Sequence, residues 1–360
     1  MPKILFVAAH RPDRSPSQRF RFEQYLSFLQ SHGFDYDFSF LISEHDDRIF
    51  YQPGNISNKI FLFAKSVVKR LRDVMNANNY DIIFIQREAF MTGSVFFEKR
   101  FSKSKAKVIF DFDDAIWHLD VSEANKNFHW LKHPGKTAEI ISMVDLVFAG
   151  NQYLMDYARH HNDHVVIVPT TIDTTEYKPV NRELTKKQIC IGWSGSITTI
   201  KHFEMAVPFL KTLKAKFGEQ ICIKVIGDKT YKLEQLNIQG INWNKQDELK
   251  ELNEIDIGIM PLPDDEWAKG KCGLKGLQYM ALGIATVMSP VGVNSEIIQD
   301  GANGYLASTD QEWFNKISIL IESETLRDKI AKAGRQTVEE KYSVNAQKDN
   351  YLKYFNTLVN

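Results

Sequence analysis

Short, continuous apolar runs recur along the chain, separated by segments in which apolar residues have helical spacing. The first run is Ile4-Leu5-Phe6-Val7-Ala8-Ala9, and comparable runs occupy residues 81–85, 107–110, 146–149, 165–168, 189–192, 221–227, 255–260 and 284–288. Runs that lack apolar/polar alternation are typical of strands buried on both faces of a parallel sheet. Because these runs alternate with helical segments, the pattern predicts a doubly wound α/β fold.

The runs form two series with a break between them. At residues 173–187 the segment Tyr177-Lys178-Pro179 and a charged stretch interrupt both periodicities, as expected for a linker. A chain of 360 residues, 43% of them apolar, is also long for one domain. We therefore predict two similar Rossmann-like domains that face each other across a cleft, the usual place for a ligand between such domains.

A loop rich in glycine and lysine precedes one helical segment of the second series. It reads Gly270-Lys271-Cys272-Gly273-Leu274-Lys275-Gly276 and leads into Leu277, Gln278, Met280 and Ala281. A helix N-terminus presents unpaired backbone N–H groups and the positive end of the helix dipole, and the two lysines add full charges. The segment predicts an anion site, most simply for phosphate, although a buried helix with two solvated lysines gives the same pattern.

A second loop of this kind follows the apolar run at residues 189–191. It reads Gly192-Trp193-Ser194-Gly195-Ser196-Ile197-Thr198-Thr199-Ile200-Lys201. The glycines let the backbone approach a ligand closely, the hydroxyl and N–H groups bind oxygen, and Lys201 brings charge near a helix start. Together the two loops are suited to clamp a diphosphate from two sides.

The basic loop after the first apolar run provides a further candidate. In an open α/β sheet, ligands bind beyond the carboxyl ends of the strands, and residues 11–21 follow such an end. Arg19 and Arg21 are accordingly candidate ligands for a phosphate of the acceptor or donor. The alternative is that they only decorate the start of a helix.

The composition limits which binding partners and which cellular compartment we expect for this protein. Lys and Arg total 45, as do Asp and Glu, so no global field attracts nucleic acid. The three cysteines form no CxxC pair, which suggests neither a disulfide framework nor a zinc site. The first apolar run is too short for a signal peptide, and no run approaches the roughly 20 residues of a membrane-spanning helix. We expect a cytoplasmic protein.

Two basic segments are candidates for contact with a membrane surface. Residues 58–75 have the pattern of a basic amphipathic helix, and a second cluster comprises Lys99, Arg100, Lys103, Lys105 and Lys107. Such a helix either packs on its own sheet with its charges solvated or lies on anionic lipid. Peripheral contact with the inner face of the membrane is therefore kept as an alternative.

Several motifs together resemble the family 4 glycosyltransferases, which are retaining enzymes of GT-B fold that use nucleotide-sugar donors. The similar segments cover most of the chain and are residues 144–151, 166–173, 278–287, 289–297 and 303–306. The resemblance implies an acceptor domain at residues 1–175, a nucleotide-sugar domain at residues 187–338, and a helix at residues 339–360 that crosses back to the first domain. It also implies that Lys201 holds the donor diphosphate and that Trp243 contacts the base.

The chain departs from the family pattern at several positions. The family usually carries two glutamates seven residues apart, and those places are Gly270 and Gln278 here. Gln278 can still hydrogen-bond a ribose hydroxyl, whereas Gly270 offers no side chain, so Lys271 and Lys275 are the expected substitutes. The usual arginine partner of the phosphate lysine is absent, with Trp193 near its place. A further expectation is that Trp193, Ser194, Gly195, Cys272 and Gly273 also line the donor site.

In the first domain, Asp113 and Asp114 stand where the family has His-Asp at the donor sugar. The resemblance implies a hexosyltransferase-like reaction in which the leaving diphosphate helps to deprotonate the acceptor. One of these carboxylates would then hydrogen-bond a sugar hydroxyl or support positive charge at the anomeric carbon, with Lys201 stabilising the leaving group. The acceptor would be a glycan or lipid-linked sugar in surface polysaccharide synthesis. No metal or other cofactor is expected.

Three alternatives remain open. Asp-x-Asp at residues 111–113 resembles the metal motif of the other large glycosyltransferase fold, which holds Mg²⁺ or Mn²⁺ on the donor. The same residues resemble the haloacid-dehalogenase phosphatases, with Asp111 as nucleophile, Asp113 as acid/base and Asp228 in a later metal site. The third alternative is a nucleotide-sugar-binding relative that turns over no donor.

Overall fold

The computed structural model describes residues 1–51, 54, 56–118, 133, 135–180 and 188–359. Residues 181–187 of the predicted linker lie outside the described residues. The chain divides into two compact units, of which the first comprises Met1–Pro169 with Lys348–Asn360 and the second Thr170–Gln347.

The first unit is built on a six-stranded parallel sheet. In chain order its strands are β1 (Lys3–His10), β2 (Asp35–Ile42), β3 (Ile82–Gln86), β4 (Lys107–Phe112), β5 (Leu146–Ala149) and β6 (Val165–Ile167), arranged β2-β1-β3-β4-β5-β6. Its helices are α1 (Pro16–Arg19), α2 (Leu26–Ser31), α3 (Glu44–Tyr51), α4 (Ile56–Met75), α5 (Phe96–Phe101), α6 (Lys136–Met143) and α7 (Gln152–Arg159). The central strands are buried throughout their apolar runs, as expected for a sheet covered on both faces.

The second unit repeats this organisation on a five-stranded parallel sheet. Its strands are β7 (Ile189–Ser194), β8 (Ile221–Ile226), β11 (Ile257–Met260), β12 (Ala285–Met288) and β13 (Tyr305–Leu306), in the order β13-β12-β11-β7-β8, with β9 (Lys232–Leu233) and β10 (Ile238–Gln239) forming a separate antiparallel pair. Its helices are α8 (Ile200–Glu204), α9 (Val207–Phe217), α10 (Glu248–Asn253), α11 (Glu266–Lys269), α12 (Leu274–Ala281), α13 (Asn294–Ile297), α14 (Asp310–Glu322) and α15 (Glu324–Thr337). A π-helical turn at Val338–Tyr342 precedes α16 (Val344–Val359). The predicted doubly wound α/β class is confirmed.

The last part of α16 packs in the first unit. The ring of Tyr351 stacks on that of Tyr25 at a centroid distance of 4.2 Å and meets Phe148 edge-on. Phe355 contacts the rings of Phe84 and Phe34. All of these rings belong to the first unit, and those of Tyr351 and Phe355 are buried in it. The end of α16 therefore completes the core of this unit.

Helix α12 packs closely against β11 because Gly258 of this strand carries no side chain. A Cβ atom at Gly258 would lie 2.4 Å from the ring of Tyr279 on α12. The aromatic ring therefore occupies the space above this strand and is fully buried. The hydroxyl of the same ring reaches the backbone of Ser194 at the end of β7.

No helix in the described part of the chain combines the length and the apolar character needed to cross a bilayer.

Candidate functional site

The loop that follows β7 is held in place by a hydrogen bond to α12. The backbone N–H of Ser194 donates to the phenol oxygen of Tyr279 at 2.7 Å, and Gly195 N–H donates to the carbonyl of Ile226 at 2.9 Å. Gly195 has no room for a side chain, because a Cβ atom there would lie 2.1 Å from the ring of Trp193. The predicted loop thus turns sharply at the carboxyl end of the strand.

The loop at residues 270–273 begins α12 through a left-handed residue. Gly273 has φ +70°, and a Cβ atom at this position would lie 2.4 Å from the Cδ1 atom of Ile297. Glycine is therefore required both by conformation and by space. The preceding Cys272 is buried, with its Sγ 3.8 Å from the carbonyl oxygen of Gly270. The first turn of α12 then presents backbone N–H groups that no preceding helical turn can satisfy.

The structure brings the three lysines of the two loops to one histidine. Burial, together with the positive charges of Lys275, Lys271 and Lys201, lowers the pKa of His202 to about 4. His202 is almost fully buried on α8, directly after Lys201. The two loops therefore place three cations around one buried side chain, an arrangement suited to binding an anion.

Two of these lysines also lie over indole rings. The Nζ of Lys275 lies 5.0 Å from the ring centroid of Trp193, and the Nζ of Lys271 lies 5.0 Å from that of Trp267. Trp193 is itself buried. The buried indole therefore contributes to the predicted donor site through a cation–π contact that holds the ammonium group of Lys275.

Three buried polar atoms around the start of α12 have no hydrogen-bond partner in the described part of the chain. They are Trp193 Nε1, His202 Nδ1 and Asn294 Oδ1. Asn294 is fully buried, and its Oδ1 lies 3.6 Å from the position that a Cβ atom of Gly273 would take. Because unsatisfied buried polar groups are rare and costly, a cluster of them marks a place where a polar ligand would restore the missing bonds.

A second polar network joins two residues that the sequence placed at the donor. Glu248, buried at the start of α10, accepts hydrogen bonds from Trp243 Nε1 and from the hydroxyl of Tyr177, both at 2.9 Å. The Nε2 of Gln278 donates to Glu248 Oε1 and to the Tyr177 hydroxyl, both at 3.2 Å. Trp243 and Gln278 are therefore brought together, and the residue that joins them is a carboxylate outside the predicted set.

In the first unit, both predicted acceptor arginines are buried. Arg21 is fully buried, pairs with the carboxylate of Asp111 and donates to the carbonyl of Val168. Arg19 is also buried, with its guanidinium 4.9 Å from the ring centroid of Phe20. The structure thus places Arg21 in the core instead of at a ligand, because its charge neutralises a carboxylate that is also withdrawn from water.

The burial of Asp111 bears on the phosphatase alternative. Burial raises the pKa of Asp111, while Arg21 opposes this shift. A nucleophilic aspartate must reach its substrate, whereas this one is 1% exposed and engaged by a guanidinium. Asp228 belongs to the second unit and Asp111 to the first. The geometry within the first unit therefore does not support Asp111 as a nucleophile.

Asp113 and Asp114 lie directly after β4 and are held by one arginine. The Nε of Arg87 lies 2.8 Å from Asp113 Oδ1, and its Nη2 lies 3.1 Å from Asp114 Oδ2. Arg87 has φ +62°, an unusual conformation for a side chain of this size. Its N–H donates to the carbonyl of Asp111 at 2.7 Å, which fixes the turn after β3 against the end of β4. Strain of this kind often accompanies functional positions.

Sequence reasoning missed the residues that contribute through long-range contacts. These are Tyr177, His202, Glu248, Tyr279, Asn294 and, in the first unit, Arg87. His202 and Tyr279 are each adjacent to a predicted residue, so sequence proximity was the available signal for them. Among the described residues, no group of three His, Cys, Asp or Glu side chains is placed to hold a metal ion.

Comparisons with known proteins agree with this organisation. Residues 188–323 match the family model described as Glycosyl transferases group 1. The chain resembles HepE from Anabaena in complex with UDP and glucose, with a TM-score of 0.66 and 14% identity over 99% of this chain and 100% of that one. No curated protein matches the chain.

Two further solved structures share the fold over nearly the whole chain. Sucrose-phosphate synthase from Thermosynechococcus elongatus has a TM-score of 0.69 and 13% identity, covering 99% of each chain. A glycosyltransferase from Rickettsia africae has a TM-score of 0.68 and 12% identity, covering 99% of this chain and 98% of that one. The chain therefore has the GT-B fold of two Rossmann-like domains, and its segment 188–323 matches the Glycosyl transferases group 1 model.

Proposed function

We propose that this protein is a retaining, family 4 glycosyltransferase that moves a sugar from a nucleotide diphosphate sugar to a glycan or lipid-linked acceptor. The observation that carries the proposal is that the two lysine-bearing loops meet, with Lys275 Nζ 5.0 Å from the ring centroid of Trp193 and with Lys201, Lys271 and Lys275 all close enough to act on the buried His202. The match of residues 188–323 to a glycosyltransferase family model supports it. A role in surface polysaccharide synthesis, on the cytoplasmic side of the membrane, is the setting we propose.

The three ammonium groups would bind the donor diphosphate. As the bond between the sugar and the diphosphate breaks, negative charge grows on the leaving oxygen, and cations already in place stabilise that charge without reorganising. The N–H groups at the start of α12 and the unsatisfied Trp193 Nε1 add hydrogen-bond donors. With this much positive charge from the protein, we propose that the reaction requires no metal ion.

The nucleoside would lie against the network around Glu248. Trp243 offers a partly buried aromatic surface, fixed by the hydrogen bond from its Nε1 to Glu248. The amide nitrogen of Gln278 is occupied by Glu248 and Tyr177, so its amide oxygen is the group we assign to a ribose hydroxyl. The UDP-bound structure of HepE, a protein of the same fold, supports a nucleotide at this kind of domain.

The sugar would be oriented by Asp113 and Asp114, which Arg87 holds in a fixed pair. One carboxylate would accept a hydrogen bond from a sugar hydroxyl or support positive charge at the anomeric carbon. In a front-face reaction the acceptor hydroxyl attacks that carbon as the diphosphate leaves, and the proton of the hydroxyl passes to the leaving phosphate oxygen. No protein nucleophile is then needed.

Thermal-shift titration with UDP, GDP, ADP and their sugars tests the donor site, because a bound ligand raises stability with occupancy. We expect one nucleotide series to bind and each of Lys201→Gln, Lys271→Gln and Lys275→Gln to weaken it by about tenfold or more. Lys211→Gln, which removes an exposed lysine on α9, should leave the affinity unchanged. Failure of every nucleotide to bind, or an equal loss in Lys211→Gln, would contradict the proposal.

Measuring sugar transfer distinguishes an active enzyme from a relative that only binds the nucleotide sugar. Asp113→Asn and Asp114→Asn should bind the nucleotide as the wild type does and lose sugar transfer by about 10² or more in at least one case, since they act on the sugar. A wild-type protein that binds the nucleotide but neither transfers nor hydrolyses the sugar would identify a binding protein instead.

A further inference from the structure

Helix α4 packs with its polar side inward. The side chains that face the first unit's sheet include Ser66, Arg70 and Asp73, and only Leu62 gives this side a buried apolar residue. The apolar residues on the rest of the helix circumference face solvent. A helix of a water-soluble domain normally shows the opposite arrangement.

Arg70 anchors this inverted helix. Its guanidinium is fully buried and donates to the carbonyl oxygens of Ala89 at 2.6 Å and Ala8 at 2.7 Å. It also donates to Ser39 Oγ and to Asp73 Oδ2, each at 2.8 Å. Because these bonds satisfy the buried charge only in one rotation of the helix, they fix which side faces outward.

The outward side is an apolar stripe. Seven of the large hydrophobic residues on this helix are exposed, with Ile56 at 68%, Phe61 at 72% and Met75 at 80%, and the full set is Ile56, Ile60, Phe61, Phe63, Val68, Leu71 and Met75. Their spacing places them on one broad face of the helix. Single exposed apolar residues need no explanation, whereas a continuous set along one helix marks an interaction surface.

The neighbouring helix α5 extends this surface. The ring of Phe63 meets Phe90 at 5.2 Å, and Phe90 in turn meets Phe97 of α5 at 5.2 Å. On the outer side of α5, Phe96 is 45% exposed and lies under the guanidinium of Arg100 at 5.1 Å. We call the exposed apolar side of α4 together with Phe96 and Arg100 the α4 face.

The charge around the α4 face is positive, although the whole chain is neutral. Helix α4 carries five basic residues and one acidic residue, Asp73, which pairs with the buried Arg70. Residues 96–107 likewise contain five basic residues and one acidic residue, Glu98, which is buried. Lys65 pairs with Asp46, and in the neighbouring segment Lys99 and Lys107 pair with Glu139 and Asp145, so the excess of positive charge comes from Lys59, Lys69, Arg72, Arg100, Lys103 and Lys105. An apolar strip bordered by an excess of cations complements acyl chains beneath anionic headgroups.

We propose that the α4 face binds the surface of an anionic lipid bilayer. The helix would lie parallel to the membrane, with Ile60, Phe61 and Met75 among the acyl chains and with Arg72 and Arg100 at the headgroup phosphates. An apolar protein partner would not require the surrounding excess of cations. The binding does not depend on the proposed transferase activity, and if that activity holds, the face belongs to the same unit as Asp113 and Asp114 and would bring a lipid-linked acceptor to them.

Co-sedimentation of the full chain with vesicles tests this inference. We would compare vesicles of phosphatidylcholine with vesicles of equal parts phosphatidylcholine and phosphatidylglycerol, with no nucleotide present. The protein should partition onto the mixed vesicles at least about tenfold more strongly than onto the neutral ones, and less so as salt is raised. Equal partitioning onto both, or none onto either, overturns the proposal.

Matched variants locate the contact. Phe61→Ser with Met75→Ser should reduce binding to the mixed vesicles by about tenfold or more, and Arg72→Gln with Arg100→Gln should reduce the preference for anionic lipid. Ile167→Ser with Ile319→Ser removes two exposed apolar residues elsewhere and should bind as the wild type does. Because the α4 residues replaced are exposed, nucleotide binding and melting temperature report that the fold is kept.

Two other occupants would give different results. A second copy of the chain on the α4 face would appear by light scattering as a dimer that Phe61→Ser with Met75→Ser converts to a monomer, without vesicle binding. A protein partner would leave the chain monomeric and absent from the vesicle pellet. Either result overturns the assignment to lipid, whatever the outcome of the nucleotide experiments.

Discussion

The phenol oxygen of Tyr279 accepts the backbone N–H of Ser194 at 2.7 Å, joining the end of β7 to the middle of α12. Both ends of this bond are buried, and burial raises the pKa of Tyr279, so the phenol stays protonated. The side chain of Tyr279 therefore connects the two lysine-bearing loops, which are far apart in the sequence.

Tyr279→Phe should lower the free energy of unfolding by about 1–3 kcal/mol, because it leaves a buried N–H without a partner. It should also weaken nucleotide binding, since the loop at residues 194–201 loses its tie to α12. Chemical denaturation and thermal-shift titration measure the two effects.

Tyr351→Phe is the matched control for this variant. Tyr351 is equally buried, but within the described residues its hydroxyl has no hydrogen-bond partner. Removing that hydroxyl should be neutral or stabilising. Equal losses in the two variants would mean that the hydrogen bond to Ser194 contributes nothing specific.

The lowered pKa of His202 makes stability depend on pH in a defined window. The unfolded chain takes up a proton on this residue as pH falls below about 6.5, whereas the folded protein resists protonation until about pH 4. Stability is therefore complete above pH 6.5 and declines as pH falls toward 4, by up to about 3 kcal/mol from this residue. His202→Gln should show a smaller decline between these pH values in denaturant titrations.

Nucleotide binding should raise the pKa of His202, because phosphate charge offsets the lysines around it. Lys271→Gln should raise it as well, by removing one of those charges. Histidine NMR titration measures both shifts. His10, whose pKa is lowered to about 4 by burial and by Arg14, lies in the first unit and is the internal control. A diphosphate that moved His10 and left His202 unchanged would place the anion elsewhere.

Gly273→Ala should damage both stability and donor binding. The left-handed backbone and the close contact with Ile297 together should cost at least about 2 kcal/mol, and relief of the clash would shift the start of α12. Gly301→Ala provides the comparison, since Gly301 has φ +77° but nothing nearer to a Cβ atom than Tyr305 at 3.9 Å. That variant should lose about 1 kcal/mol and keep its nucleotide affinity. Retained affinity in Gly273→Ala would contradict the role given to this turn.

Gln278→Glu introduces the residue that the sequence resemblance leads one to expect at this position, yet it should harm this protein. The new carboxylate would lie against Glu248, and repulsion between like charges raises the pKa of the introduced group. The penalty is absent while that group is protonated and grows as pH rises above about 5, reaching about 1–3 kcal/mol at neutral pH. Gln30→Glu on the exposed surface of α2 should change stability by less than about 0.5 kcal/mol. Denaturant titrations at several pH values measure this penalty. If the Glu248 network were unimportant, Gln278→Glu and the wild type would have the same free energy of unfolding at every pH.

The strands and the two lysine loops could be predicted from the sequence because the residues that indicate them are close together along the chain. Ile82 to Ile85 form an unbroken apolar run and are fully buried in β3, and the glycines and lysines of both loops lie within a few positions of each other. The pairing of Arg21 with Asp111 could not be predicted, since the two residues are 90 positions apart in the sequence. Glu248 and Asn294 reach the site only after separate segments have folded against the sheet.

Helix α4 shows a different limit of sequence reasoning. Periodicity correctly predicts that one side of the helix is apolar and another polar, but it does not say which side is turned inward. That choice rests on Arg70, whose partners are backbone carbonyls of Ala8 and Ala89. Every residue has a backbone carbonyl, so the sequence does not reveal which residues accept these hydrogen bonds.

The final residues of the chain complete the core of the first unit, with Tyr351 and Phe355 packed among rings from residues 25–148. During translation, therefore, the first unit is left with an open apolar surface until everything between residues 170 and 347 has been synthesised. A ribosome-bound chain that ends before residue 348 would expose Tyr25 and Phe148 to chaperones and proteases, even though most of the first unit had emerged long before.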